Sequence, residues 1–271
     1  MSEPGATPTI VFAHANGFPA GTYRQLFEHW RSAGWQVLAP DRLGHDPAYP
    51  VRSNWHPTRD EFIAFVEAQG LAGRRRALHF VGHSLGGYVA LLAACRRPEL
   101  AASVVLMDSP LVGGWRAGSL RVAKAVGLIG RMSPAKVSRR RRTHWASTDE
   151  ARALFAAKRS FARWAPGVLD DYLAAGLEPA ADGGVQLRFR REIESRFYNT
   201  LPHHWEAVLR RHPPRCPVHF IGGTTSAEVR QAGMLTTQRV VGSHLQWIDG
   251  SHLFPMERPA ETAQAVLRAI G

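Results

Sequence analysis

The sequence predicts an α/β fold in which a mostly parallel sheet is covered by helices on both faces. From Thr9 to Asp108, short apolar segments typical of buried strands alternate strictly with helical segments, and such alternation requires parallel strands joined by helical crossovers. The alternation stops near Pro110 and resumes near Pro217, and the residues between favour helices. A chain of 271 residues with 45% hydrophobic composition can bury one large core together with an insertion.

The core is predicted to comprise residues 1–110 and 215–271, and a helical cap is predicted to be inserted as residues 111–214. Apolar runs predict about six core strands, at residues 9–13, 35–42, 102–108, 217–222 and 244–249 and through Phe80 and Val81. Core helices are predicted over residues 22–32, 58–66, 88–94 and 259–270. Thr58 is expected to cap its helix, because a threonine oxygen can accept a hydrogen bond from the first turn.

The predicted insertion contains little that indicates strands. Helices are expected over residues 120–129, 148–164 and 202–211, with a polar turn at residues 182–184. Sites in open parallel sheets lie at the carboxyl ends of the strands. An insertion placed between two strands is therefore expected to cover that edge as a lid.

The composition is strongly basic, with 34 Lys and Arg residues against 22 Asp and Glu residues and a net charge of +12. The excess is scattered along the chain, and no helix-turn-helix, zinc-finger or RNA-binding motif accompanies it, so a specific nucleic-acid partner is not expected. The densest run, residues 139–142, is interpreted as a solvated surface. Alternatively, this run biases the choice of substrate toward negatively charged compounds.

Targeting and membrane segments are not predicted. Residues 1–8 lack the basic region and apolar run of a signal peptide, and no apolar stretch approaches the ~20 residues of a spanning helix. Cys95 and Cys216 lie on elements that are predicted to be buried, which favours reduced core cysteines over a disulfide framework. The sequence therefore predicts a cytoplasmic protein.

The strongest motif is Gly82-His83-Ser84-Leu85-Gly86, which lies between a predicted strand and a predicted helix. It matches G-x-S-x-G, in which a serine on a strained strand-to-helix turn presents its hydroxyl at the top of a parallel sheet. The glycines allow close approach of the neighbouring backbone. Ser84 is therefore the candidate nucleophile.

A serine hydroxyl needs a base to take its proton. His252 follows the last predicted strand, so its loop is expected to open onto the same edge of the sheet as Ser84. His83 is adjacent to the candidate nucleophile and is expected to point away from it. The pair His203 and His204 has no third ligand at a suitable spacing, so neither a metal nor a cofactor is expected.

In its motif, its histidine loop and its insertion, the chain resembles the serine hydrolases of the α/β-hydrolase fold, and the resemblance covers nearly the whole length. Members commonly carry an antiparallel hairpin ahead of the strand that begins here at Thr9, so the resemblance implies a six-stranded sheet without that hairpin. The loop from His14 to Pro19 resembles the H-G-x-P oxyanion loop of the family. The implied oxyanion donors are the backbone N–H of Leu85 and that of Asn16 or, in another alignment, of Phe18.

The acid of the implied triad does not stand at the position that is usual in the family. Most members carry an aspartate shortly after the strand that follows the insertion, but residues 222–228 here contain no aspartate. Some relatives place the acid where Asp108 stands, at the end of the strand before the insertion. Asp108 is therefore preferred, and Glu228 is the alternative.

The resemblance implies an enzyme that hydrolyses carboxylic esters of small or medium acyl groups through an acyl-enzyme on Ser84. An ester-like small molecule is the expected partner. One alternative is the same triad acting on a thioester or a carbon–carbon bond, or in acyl transfer. Another is a ligand-binding member of the fold without turnover.

Overall fold

The computed structural model describes residues 7–70, 78–125 and 135–271. Within these ranges, nine strands are assigned in chain order. They are β1 (Thr9–Ala13), β2 (Gln36–Leu38), β3 (Leu78–His83), β4 (Ser103–Met107), β5 (His144–Trp145), β6 (Leu177–Pro179), β7 (Val185–Leu187), β8 (Val218–Gly223) and β9 (Leu245–Ile248).

The helices lie between these strands, together with short 3-10 segments at Ala20–Tyr23 and Ser53–Trp55. They are α1 (Arg24–Ser32), α2 (His56–Ala68), α3 (Leu85–Arg96), α4 (Gly114–Ala125), α5 (Ala135–Arg140), α6 (Thr148–Ala156), α7 (Val168–Gly176), α8 (Arg191–Asn199), α9 (Trp205–Arg211), α10 (Ala227–Ala232), α11 (Leu235–Val241), α12 (Phe254–Glu257) and α13 (Pro259–Ile270).

Six strands form the central sheet, in the order β2-β1-β3-β4-β8-β9. Every pairing within it is parallel, so the predicted six-stranded parallel sheet is confirmed. Side chains of a strand alternate between the two faces. Accordingly, Phe80 joins the core cluster that contains Phe62 of α2, whereas Val81 joins the cluster that contains Trp30 of α1. Helices thus cover both faces, as the strand–helix alternation predicts.

The segment between β4 and β8 is mainly helical, but it also contains short strands that the sequence did not indicate. Besides α4–α9 it contains an antiparallel sheet of three short strands in the order β5-β7-β6. The predicted polar turn lies between β6 and β7. Strands of two or three residues are too short to show the alternation that identifies a strand in a sequence.

Several predicted helix bounds also differ. The helix expected over residues 148–164 ends at Ala156, and the following residues form turns in which Trp164 packs on Phe161 with ring centroids 4.3 Å apart. The helix expected over residues 120–129 begins earlier, at Gly114, and residues 126–129 lie outside the described ranges.

Contrary to the prediction, Thr58 does not cap α2. The helix begins at His56, and the residue before it, Trp55, has a left-handed backbone with φ 59° and no side-chain cap. Pro57 fits the first turn, because its missing N–H would have no partner there. Thr58 therefore lies inside the first turn, where its side chain is fully buried.

The structure also bears on the two cysteines and on membrane-spanning helices. Cys95 is buried and Cys216 half-buried, and neither forms a disulfide. Within the described ranges, no helix combines the length and the hydrophobicity that a membrane crossing requires.

Phe80 is the residue by which we test the central core. Its ring is fully buried and meets that of Phe62 edge to face, with centroids 5.2 Å apart. Phe80→Ala removes this contact and leaves a cavity, so we expect the free energy of unfolding to fall by about 3–5 kcal/mol. Urea unfolding measures the change. The control Val122→Ala, at an exposed position of α4, should stay within about 0.5 kcal/mol, and an equal loss in both variants would contradict the assignment of Phe80 to the core.

Candidate active site

Ser84 stands at the sharp turn between β3 and α3. Its backbone has φ 54° and ψ −114°, a region that costs a non-glycine residue of order 1–3 kcal/mol. The Ser84 N–H donates to the carbonyl of Met107 on β4 at 2.8 Å, which fastens the turn to the neighbouring strand. The turn therefore presents the Ser84 hydroxyl at the carboxyl edge of the sheet.

Gly82 and Gly86 flank Ser84 and let the backbone segments approach closely. A Cβ on Gly86 would overlap with the carbonyl group of Ala13 on β1, and a Cβ on Gly82 would overlap with the backbone of Gly86. Neither glycine has a positive φ. These glycines are therefore required by contact between α3 and two strands, and the backbone strain falls on the serine itself.

His252 reaches Ser84 from the loop after β9. Its Nε2 lies 3.0 Å from Ser84 Oγ, and its Nδ1 lies 2.6 Å from Asp108 Oδ2. Because an ionised carboxylate can only accept, Nδ1 carries the proton and Nε2 is left to accept the hydrogen bond of the Ser84 hydroxyl. The structure thus brings the three preferred candidates into one continuous chain of hydrogen bonds.

Asp108 directly follows β4 and adopts a positive φ of 47°. Its Oδ1 accepts the Gly223 N–H at 2.8 Å, and its Oδ2 accepts the Ser226 hydroxyl at 2.5 Å. The alternative acid, Glu228, places its Oε2 3.8 Å from His252 Nδ1, and its side chain is half exposed. Both carboxylates therefore lie beside the histidine, with Asp108 in direct contact and Glu228 farther out.

The charges of these groups stabilise one another. Burial alone would raise the pKa of Asp108, but the hydrogen bond and charge of His252, together with the hydrogen bonds from Gly223 and Ser226, hold that pKa below its ordinary value. For His252 burial would lower the pKa, whereas the hydrogen bond to Asp108 and the negative charges of Asp108 and Glu228 raise it above 6.5. The histidine is thus a stronger base than a free imidazole.

The loop after β1 approaches the same edge of the sheet. The Phe18 N–H donates to the Ala15 carbonyl at 3.1 Å, so this alternative oxyanion donor is already engaged. The Asn16 side chain donates from Nδ2 to the Glu194 carbonyl at 3.0 Å. Leu85 is the first residue of α3, and its N–H therefore has no acceptor four residues back within the helix.

His14 anchors this loop from inside the protein. Its Nδ1 donates to the Ala15 carbonyl at 2.8 Å, and its Nε2 accepts the Leu43 N–H at 2.7 Å. Complete burial lowers the pKa of His14 to about 4, so the ring is a neutral structural group near neutral pH.

His83 points away from Ser84, as expected, but it has a role that the sequence reasoning missed. Its Nε2 faces the backbone carbonyl of His252 at 2.8 Å, and its Nδ1 lies 2.7 Å from the Tyr23 hydroxyl, which also accepts the Ala15 N–H at 3.2 Å. Burial, and then the proximity of His252, lower the pKa of His83 to about 3. This neutral ring joins the loop after β1 to the loop of His252.

The basic run at residues 139–142 is not uniformly solvated, contrary to the expectation. The Arg141 guanidinium pairs with the Glu194 carboxylate at 3.0 Å, and the two side chains are only 16% and 9% exposed. Arg141 also donates to the Tyr172 hydroxyl. A Cβ on Gly17 would lie 3.3 Å from Glu194 and 3.6 Å from Arg141, so this ion pair lies directly against the loop after β1.

Within the described part of the chain, one set of three side chains places potential metal-ligand atoms within 4.8 Å of one another. It consists of Asp108, Glu228 and His252. His204 faces His56, with their Nε2 atoms 3.0 Å apart, and His203 Nδ1 lies 3.0 Å from Lys124 Nζ. The His203–His204 pair is therefore partnered by other side chains, and the three-ligand set coincides with the hydrogen-bonded chain at Ser84.

The chain is similar to known proteins over most of its length. The model of the alpha/beta hydrolase family matches residues 10–265. A monoglyceride lipase homolog of Monkeypox virus is 31% identical over 146 residues, which cover 48% of this chain and 51% of that protein. The 2-hydroxy-6-oxo-6-phenylhexa-2,4-dienoate hydrolase of Burkholderia cepacia is 29% identical over 115 residues, which cover 40% of this chain and 38% of that protein. The chain thus spans about half the length, or less, of these curated relatives.

A solved structure extends the likeness over the whole fold. The crystal structure of E-2-(acetamidomethylene)succinate hydrolase aligns with a TM-score of 0.74 at 20% sequence identity and covers 98% of this chain and 92% of that chain. At this identity the alignment supports the fold and carries no information on the substrate.

The contact between α3 and β1 can be tested at Gly86. Gly86→Ala places a methyl group against the Ala13 carbonyl, so we expect the free energy of unfolding to fall by about 1–3 kcal/mol or more. The matched control is Gly118→Ala on α4, where an added Cβ meets nothing within 4 Å and helix propensity predicts a gain of up to about 1 kcal/mol. Urea unfolding compares the two, and equal stability of the two variants would contradict the close contact.

Proposed function

The chain belongs to the alpha/beta hydrolase family, and from this premise we propose that it is a serine hydrolase that cleaves carboxylic esters of small or medium acyl groups. The observation that carries the proposal is the unbroken chain of hydrogen bonds from Asp108 through His252 to Ser84, with distances of 2.6 and 3.0 Å. A strained serine, a histidine that is free to accept at Nε2 and a buried carboxylate are the parts that nucleophilic acyl transfer requires.

In the proposed reaction, Ser84 Oγ attacks the carbonyl carbon of the ester while His252 Nε2 takes the hydroxyl proton. The tetrahedral intermediate collapses, the bond to the alcohol breaks, and His252 returns the proton to the departing oxygen. Water then attacks the acyl-enzyme with His252 again as base, which releases the carboxylic acid and restores Ser84. Asp108 stays ionised throughout and stabilises the positive charge that forms on the histidine.

The oxyanion of the intermediate needs N–H donors near Ser84. We assign this role to the backbone N–H groups of Leu85 and Asn16, and one such donor is typically worth about 3 kcal/mol of barrier. The preference for Asn16 rests on the engagement of the Phe18 N–H with Ala15. The Asn16 side chain, held by the Glu194 carbonyl, keeps this part of the loop in place.

The proposed substrate has an apolar acyl group without a required negative charge. Phe18, at the loop after β1, packs on the buried rings of Trp164 and Tyr172 with ring centroids 5.9 and 5.7 Å away, and because Phe18 is itself partly exposed it offers apolar surface beside the loop. Arg141, whose guanidinium lies beside Gly17 of the loop, is paired with Glu194. These contacts favour a neutral ester over an anionic one and speak against selection of anionic compounds by the arginine run.

The role of each triad member is tested by substitution. Ser84→Ala should abolish both labelling by a fluorophosphonate and hydrolysis of p-nitrophenyl butyrate, and Asp108→Asn should lower kcat by about 10³–10⁴-fold, because the histidine loses its orienting carboxylate. The control is Asp249→Asn, an exposed carboxylate in the same region, which should retain activity. A folded, unmodified protein that neither labels nor turns over short esters would overturn the proposal in favour of a binding role.

Glu228 is expected to tune the pH dependence rather than to act as the acid. His252 must be neutral to accept a proton, so kcat/KM should fall as the pH drops through a pKa that lies above 6.5. Glu228→Gln removes one of the negative charges that raise this pKa, so the acidic limb of the profile should move to lower pH while kcat at high pH changes little. The control is Glu261→Gln on α13. A loss of kcat at all pH values in Glu228→Gln would instead make Glu228 the acid.

A further inference from the structure

Most large apolar side chains are buried, and among the described residues the strongly exposed ones are few. They are Trp115 (73%), Leu235 (65%), Val122 (58%) and Trp247 (46%). Trp115 and Val122 lie on α4, and Leu235 begins α11. Three of the four therefore belong to two elements, and Trp247 lies elsewhere, on the edge strand β9.

Helix α4 presents a narrow apolar stripe to solvent. At about 100° per residue, positions 115 and 122 lie within ~20° of each other around the helix, and the small residues Gly118 and Ser119 lie beside them. Arg116 and Arg121 flank this stripe, one on each side, and both are exposed. Such a stripe with a basic border is the pattern of a helix that lies in a lipid interface.

Helix α11 continues the same surface. A Cβ on Gly113, just before α4, would overlap with the side chain of Thr236 on α11, and a Cβ on Gly233 would lie 3.1 Å from Arg116 Nη1. The Leu111 N–H donates to Thr237 Oγ1 at 2.8 Å. We call the surface made by Trp115, Arg116, Arg121, Val122 and Leu235 the α4–α11 face.

The charges around this face are almost all positive. Neither α4 nor α11 contains an Asp or Glu residue. Of the carboxylates on the adjacent elements, Glu206 accepts the Gly114 N–H at the start of α4 at 3.0 Å, and Glu228 lies 3.8 Å from His252. The apolar stripe is therefore bordered by more cations than anions, with the Glu206 carboxylate at the start of α4, and part of the net charge of +12 is concentrated here.

The face also adjoins the site. Leu111, three residues after Asp108, is tied to α11, while Ser226, which bonds to Asp108, caps α10 by accepting the Val229 N–H at 3.2 Å. The face thus lies on the elements that leave the carboxyl edge of the sheet.

We propose that the α4–α11 face binds the surface of an anionic lipid bilayer, with Trp115, Val122 and Leu235 inserted at the interface and Arg116 and Arg121 against the lipid phosphates. The charge excludes a second copy of this chain as the occupant, because a two-fold contact through the same patch would set these arginines against one another. Binding to the bilayer does not depend on the chemistry at Ser84.

The test is co-sedimentation of the full chain, in the Ser84→Ala form, with vesicles of phosphatidylglycerol and phosphatidylcholine or of phosphatidylcholine alone. We expect binding to the anionic vesicles that weakens as salt rises, and weaker binding to the neutral ones. The double variant Trp115→Ser with Leu235→Ser should weaken binding by about tenfold or more, and Arg116→Glu with Arg121→Glu should remove the preference for anionic lipid.

The matched control is Trp247→Ser, which removes an exposed tryptophan away from this face and should leave vesicle binding unchanged. In the catalytically intact chain, Trp115→Ser with Leu235→Ser should hydrolyse soluble p-nitrophenyl esters at the unmodified rate, which separates surface binding from the chemistry. Failure of the unmodified chain to bind anionic vesicles, or equal losses in Trp247→Ser and the double variant, would overturn the proposal. So would a dimer in solution that the double variant converts to monomer.

Discussion

The arrangement at the candidate site depends on the close packing of α3 against the strands β1 and β3. Because Gly86 has no side chain, the start of α3 sits directly on the Ala13 carbonyl, and the chain can turn from strand to helix within a single residue. That residue, Ser84, takes the strained backbone, which the hydrogen bond to Met107 and the surrounding contacts stabilise. The same contact sets the loop after β1 beside the start of α3, so the candidate nucleophile and the proposed oxyanion donors are positioned by one packing interaction.

The position of the acid follows from the order of the strands. β4 lies between β3 and β8 in the sheet, so a carboxylate at its end stands between Ser84 and the loop after β8. The Asp108 carboxylate accepts hydrogen bonds from two directions. His252 donates to Oδ2, and Gly223 and Ser226 donate from the side of β8. The loop after β8, where the sequence lacks an aspartate, thus contributes donors that hold the acid of the preceding strand. This exchange of roles keeps a buried carboxylate ionised, because each of its oxygens accepts a hydrogen bond.

The features of the fold and of the candidate site that could be predicted from the sequence are those that lie within short segments. The glycine spacing around Ser84 and the strand before His252 are visible within short segments, and the alternation of strands and helices predicts the six-stranded sheet. The choice between Asp108 and Glu228 depends on the path of the loop after β8. Residue spacing does not determine that path, so the sequence alone leaves both candidates. The link from Tyr23 through His83 to His252 joins residues 60 and 169 positions apart, and the burial of Arg141 depends on Glu194 from another helix. Contacts between distant segments leave no periodic signal in a single sequence.

The segment between β4 and β8 has a different physical character at the loop after β1 and at helix α4. At the loop after β1, Glu194 holds the Asn16 side chain through its carbonyl and pairs with Arg141 through its carboxylate. Because the Asn16 side chain is buried, separating the segment from the loop would leave its amide without the Glu194 acceptor, which is costly. At α4, by contrast, the exposed surface is apolar and basic and makes no comparable buried ion pair among the described residues. In the proposed chemistry, the segment is therefore tied to the loop by a buried hydrogen bond where the oxyanion is stabilised, whereas α4 presents exposed apolar and basic side chains to the proposed lipid surface.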